Sequence, residues 1–165
     1  MALRNILTEE ENTLYKKSRE IVKFDKRLHQ LLDDMRETLI ESGGVGLAAP
    51  QVGVLKRAVL VLETNVSEEE DEYIIELINP QIIASDGEQR GAEGCLSVPG
   101  KYGIVTRAMN VTVRAQDRNG EFFEVSGYGL TGRCFAHEID HLDGILFTSK
   151  VERMLTEEEM EKGNY

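Results

Sequence analysis

The chain has 165 residues, 41% of them apolar, and carries 30 acidic against 19 basic side chains for a formal net charge of −11. That length suits a single domain, here residues 1–165, with a real hydrophobic core, and the apolar share excludes general disorder. The negative field repels phosphate backbones and anionic lipid, so direct nucleic-acid specificity and membrane binding are disfavoured as primary functions.

The N-terminal Met1-Ala-Leu-Arg-Asn-Ile-Leu7 has no long apolar run and no small-residue cleavage site. No segment approaches the ~20 apolar residues of a membrane span, so a cytoplasmic location is expected. Phe24, Leu28, Leu31, Leu32, Met35, Leu39 and Ile40 recur at steps of three and four, which predicts an amphipathic helix over 24–40. Gly43 and Gly44 stop it and open the glycine-rich stretch that runs to Gly53. Ala58-Val-Leu-Val-Leu62 reads as a buried strand, Ser67 to Glu72 as a solvated acidic loop, and Tyr73 to Asn79 as a strand ending before Pro80.

Further on, Val111, Val113 and Ala115 alternate with polar residues, and Asn119-Gly120 turns the chain into a second strand over Glu121–Ser126. A helical pattern returns from Leu130 to Leu142, closed by Asp143-Gly144, and Thr156-Glu-Glu-Glu159 caps a brief terminal helix. The fold class is therefore α+β, with short, mostly antiparallel strands around a central helix.

That helix carries His137-Glu-Ile-Asp-His141. Positions i and i+4 share a face, so His137 and His141 can hold one metal ion, and Glu138 can reach a water beside it without becoming a ligand. A catalytic site of this type takes a third protein ligand and leaves one position open. Cys134 lies seven residues before His141, ~10.5 Å along the helix axis, too far for its short side chain to share an ion. It suits a small packed residue beside the site instead. Cys95, in Glu93-Gly-Cys-Leu-Ser-Val-Pro99, sits where a turn could present a thiolate, although a buried free cysteine fits composition equally well. Leu130, Cys134, His137 and His141 share one helical face, compatible both with core packing and with the floor of an apolar pocket.

Three segments together, Gly44-Val-Gly-Leu-Ala-Ala-Pro-Gln51, Glu93-Gly-Cys-Leu-Ser97 and His137-Glu-Ile-Asp-His141, resemble in order and approximate spacing the signature motifs of the bacterial peptide deformylases. The likeness extends over roughly residues 3 to 155 and includes Gly100-Lys-Tyr-Gly103 and Leu142-Asp-Gly144. It implies a peptide-deformylase-like domain that removes the formyl group from N-terminal formylmethionine of newly made polypeptides, releasing formate. It further implies Cys95, His137 and His141 as metal ligands and Glu138 as general base and acid. Gln51, through its amide, and Leu96, through its N–H, would stabilise the oxyanion. Gly46 would pair with the substrate backbone, with Val45, Leu130 and Cys134 beside the bound methionine. The donor set suits Fe(II), the family's usual ion in cells, and also Zn(II), Ni(II) or Co(II).

The chain departs from the family at several points. Ala136 stands where glutamine is frequent, Tyr102 where some members carry a substrate-contacting arginine, and Arg133 where some place an apolar pocket residue, predicting a more polar rim. The tail from residue 156 to 165 is short and acidic, where some members have a basic ribosome-docking helix; any transient ribosome contact is expected to be weakened. Two rivals differ in kind. An HExxH endopeptidase would draw a third ligand from downstream, where the chain offers Asp143 and Glu152 but no histidine. A metal-binding protein without activity would lack Glu138 or Gln51, and both are present.

Overall fold

A computed structural model describes residues 2–163. Helix α1 spans Lys26–Ser42: the Asp25 carboxylate accepts from the Leu28 N–H at 3.1 Å, and Gly43 ends the helix in the left-handed region at φ 70°. The helix starts and stops two residues later than the apolar spacing predicts. Phe24 precedes the cap, and Ile40, one step past Leu39, falls off the buried face and is exposed.

Strands β1 (Gly46–Ala48), β2 (Ala58–Glu63), β3 (Tyr73–Asp86), β6 (Asn110–Gln116) and β7 (Phe122–Tyr128) form one antiparallel sheet in the order β1-β2-β3-β6-β7. Helix α1 covers one face of it and helix α2 (Leu130–Leu142) the other. Leu47, Ala58, Leu60 and Ile78 pack with Leu28, Leu32 and Met35 of α1, whereas Ala48, Val59, Val61 and Leu77 pack with Phe135, Ile139 and Leu142 of α2. Alternate residues of β2 thus enter opposite cores, which is why its sequence is apolar without a break.

Strand β3 does not end before Pro80, as the sequence predicts. A bulge between Ile78 and Gln81 carries the ladder past the proline, which has no N–H to give, and Asn79 takes φ 51°. The Asn79 side chain makes this turn useful, accepting from the Ile21 N–H at 2.9 Å and donating to the Ile21 carbonyl at 2.8 Å.

A second sheet holds β4 (Gln89–Cys95), β5 (Val98–Arg107) and β8 (Arg153–Met154), in that order. Of the β4–β5 hairpin the sequence predicts only a strand end or turn near Cys95; the turn is Leu96-Ser97. Helix α2 occupies the residues that the sequence predicts, packs on β1, β2, β6 and β7, and meets the hairpin with its opposite flank. The tail forms α3 (Glu157–Lys162), with Thr156 and Glu159 capping each other reciprocally, and buries none of its side chains. Ser67–Glu72 is an exposed loop, and no helix among the described residues is long and apolar enough to cross a membrane.

Candidate metal centre and substrate cleft

Cys95 closes β4, while His137 and His141 project one turn apart from α2. The structure brings one donor atom of each within 4.8 Å of the others, and Cys95 Sγ stands 3.3 Å from His141 Nε2. Cys134 stays outside this group. It packs, buried, in the core between α2 and the large sheet, and burial pushes its thiol pKa well up, so it is an inert apolar residue there. The downstream acids required by the endopeptidase alternative are engaged elsewhere, Asp143 with Arg57 at 3.0 Å and Glu152 with Arg90 at 2.9 Å.

The imidazole of His137 is oriented from behind. Its Nδ1 faces Glu93 Oε2 at 2.7 Å and donates there, which turns Nε2 to the site. Burial would lower the His137 pKa, but Glu138, Cys95 and Glu93 outweigh it and hold it well above the ordinary value, so an ion would have to displace the Nε2 proton to bind there. Glu93 also receives Arg107 Nη2 at 2.7 Å and Arg133 Nη1 at 2.8 Å. Burial alone would raise the Glu93 pKa, but His137 and Arg107 outweigh it and hold the carboxyl well below the usual range. Burial lowers the His141 pKa to about 3, keeping that ring neutral as a ligand requires. Glu138 is enclosed without a partner for Oε1, and burial raises its pKa to about 7, the range in which a carboxyl can both accept and return a proton near neutrality.

The glycine-rich segment supplies the opposite wall. Gly46 opens β1, the edge strand of the large sheet, beside Glu138. Gln51 is 1% exposed and clamped: Oε1 accepts from the Ala48 N–H at 2.9 Å, and Nε2 donates to Ser97 Oγ at 3.0 Å and approaches Cys95 Sγ at 3.5 Å. Its amide nitrogen is therefore held towards Cys95. Leu96, whose N–H is the other expected donor, lies in the turn immediately after Cys95. A cavity of about 480 Å³ opens over these residues, lined among others by Val45, Gly46, Leu96, Leu130, Cys134 and His137. Leu130 stands on its rim, 45% exposed.

Arg133 and Tyr102 also line the cavity, but Arg133 does not make a polar rim. Its guanidinium turns inward to Glu93 and to the Val105 carbonyl oxygen at 3.2 Å. Sequence reasoning missed Glu93, Arg107 and Ser97 as members of the site. Glu93 carried a signal, since it lies two residues before Cys95 and so on the same face of a strand; Arg107 carried none.

The polypeptide deformylase model matches residues 3–157. The chain belongs to the polypeptide deformylase family. It is 53% identical over 162 residues to the peptide deformylase of Caldicellulosiruptor bescii, covering 98% of this chain and 93% of that one. A peptide deformylase crystal structure from Legionella pneumophila superposes with TM-score 0.83 at 41% identity, covering 98% of this chain and 90% of that chain. An Acinetobacter baumannii class I type b peptide deformylase bound to Met-Ala-Ser superposes with TM-score 0.82 at 34% identity, covering 90% of this chain and 98% of that chain. As a deformylase the protein is a hydrolase that removes the N-formyl group from the N-terminal methionine of nascent polypeptides, in a family that depends on a metal ion.

Proposed function

We propose that Cys95, His137 and His141 hold one divalent ion, Fe(II) in cells with Zn(II), Ni(II) or Co(II) able to replace it, and that residues 1–165 act as one cytoplasmic catalytic unit. What supports the ligand assignment is a single grouping: a cysteine sulfur and two imidazole nitrogens within 4.8 Å, one imidazole already oriented by Glu93. This borderline-soft set fits such ions. A bound ion would supply Lewis acidity and lower the pKa of water.

The chain's own groups do the rest. The formyl-methionine backbone lies extended along the edge strand at Gly46, and its side chain enters the space between Val45, Leu130 and Cys134. Binding of Met-Ala-Ser by the Acinetobacter baumannii relative is in keeping with such a cleft. As water adds to the formyl carbon, Glu138 takes its proton. Charge then grows on the formyl oxygen, where Gln51 Nε2 and the Leu96 N–H donate; one such donor is typically worth ~2.7–4 kcal/mol in the transition state. Glu138 passes the proton to the departing amine nitrogen as the C–N bond breaks, giving formate and a free N-terminus.

The test is Glu138→Gln. Formate release from formyl-Met-Ala-Ser, assayed anaerobically, should fall by roughly 10²–10⁴-fold with the metal content unchanged. Turnover near the native rate would remove Glu138 from the chemistry.

A further inference from the structure

The candidate ligands come from two parts of the fold that share no strand ladder. Cys95 belongs to the three-stranded sheet, while His137 and His141 sit on a helix packed against the five-stranded one. A site divided in this way needs something to fix the spacing of its halves. Across the seam lies a buried ionic cluster. Glu93 accepts from Arg107 Nε at 3.0 Å and Nη2 at 2.7 Å, from Arg133 Nη1 at 2.8 Å, and from His137 at 2.7 Å, which fills its acceptor capacity.

Arg133 spans the seam from the helix side, alongside the His137–Glu93 contact and the Asp140–Arg107 pair at 2.8 Å. It precedes His137 by four residues, so both lie on one face of α2. Besides Glu93 on β4, its Nη1 and Nη2 each reach the Val105 carbonyl oxygen of β5 at 3.2 Å, and Nη2 approaches the Gln89 carbonyl oxygen at the start of β4 at 3.4 Å. The side chains of Arg133 and Glu93 are 8% and 4% exposed. A guanidinium can hold a carboxylate and two spread carbonyls at once because its five donors form a rigid planar fork, whereas an ammonium has only three donors, all on one nitrogen.

We propose that Arg133 is a positioning residue that joins α2 to β4 and β5 and thereby sets both the Cys95-to-histidine spacing and the orientation of the His137 ring. The proposal rests on the ligand assignment made above. Arg133 and Arg107 together fix the Glu93 carboxylate, so the ring it binds is kept from turning its Nε2 away from the site.

The test uses the Co(II)-loaded full chain. Affinity is read by withdrawing the metal with a chelator, and site geometry by the thiolate-to-Co(II) absorption band, for the native protein, Arg133→Met, Arg133→Lys and His141→Ala. Arg133→Met should weaken Co(II) binding by about 10–100-fold and alter the band. At saturating Co(II) it should lower kcat for formyl-Met-Ala-Ser with little change in KM, and Arg133→Lys should fall between. A raised KM with Co(II) affinity within twofold of native would make Arg133 a pocket wall and overturn the proposal. A lower Tm with native Co(II) affinity and band would make it a fold-stabilising residue only, which overturns the proposal as well. Should Arg133→Met fail to fold, Arg133→Lys decides: native affinity and band overturn the proposal. His141→Ala separates the two levels. If it binds Co(II) like the native protein, the ligand assignment falls; if it loses Co(II) while the Arg133 variants keep it, only the positioning role falls.

Discussion

Gly46 and Glu138 meet so closely that a β-carbon at position 46 would collide with the Glu138 carboxylate. The glycine is therefore required by an approach between β1 and α2, quite apart from any need for backbone freedom. Gly46→Ala should push the carboxylate out of place and lower kcat/KM on the order of 10²-fold, while far-UV circular dichroism and metal content stay native. Activity within twofold of native would show that the carboxylate has room to move and still work.

The two cysteines should separate cleanly. Cys95→Ser should weaken metal retention by more than the roughly 10–100-fold that loss of an outer partner costs. Cys134→Ser places a hydroxyl in the core and should cost about 1–3 kcal/mol of stability instead, with the metal retained. Metal analysis after dialysis, set beside thermal melts, reads both effects. Equal metal loss in the two variants would contradict the ligand assignment.

Away from the site, Glu76 on β3 accepts from Arg118 at 2.6 Å and from Arg36 of α1 at 3.2 Å. Burial would raise its pKa, but the two arginines outweigh burial and hold it below its ordinary value of 4.5. A depressed carboxyl stabilises the fold above its unfolded pKa, and that contribution is lost as pH falls through the folded value. Glu76→Gln should therefore lower Tm at pH 7 by a few degrees, about 1 kcal/mol given the partial exposure of both arginines. The gap from native should close as pH drops below 4.5. A gap that stayed constant down to pH 3 would mean that charge is irrelevant there.

Helix α3 is acidic and has no buried side chain. Its field should repel ribosomal RNA, so deleting residues 156–165 should leave ribosome co-sedimentation unchanged or slightly stronger at low salt. Salt-sensitive binding that vanished with the deletion would reverse this reading.

Several of these features can be read from the chain. Helix α2 is legible to the residue because its apolar period is uninterrupted and glycine follows it, and β6–β7 because alternation flanks an Asn-Gly turn. The β4–β5 hairpin is not. Its residues are glycine-rich and polar, Pro99 to Tyr102 are exposed, and the sequence marks only a strand end or turn near Cys95 without the extent of either strand. At the site, the i,i+4 histidines and the adjacent glutamate carry their meaning locally, whereas Arg107 acquires its partner Glu93 only through strand pairing. Arg133 reads as rim in the sequence because a side chain's direction depends on what it finds to bind, here a carboxylate on another sheet.

Cys95 and His141 are separated by 46 positions along the chain. On the present ligand assignment, no short stretch of the polypeptide could supply all three donors before the hairpin docks on α2. Metal uptake is then a late event in the protein's own biogenesis. An enzyme that serves chains still being made would itself be idle until its own synthesis had passed α2.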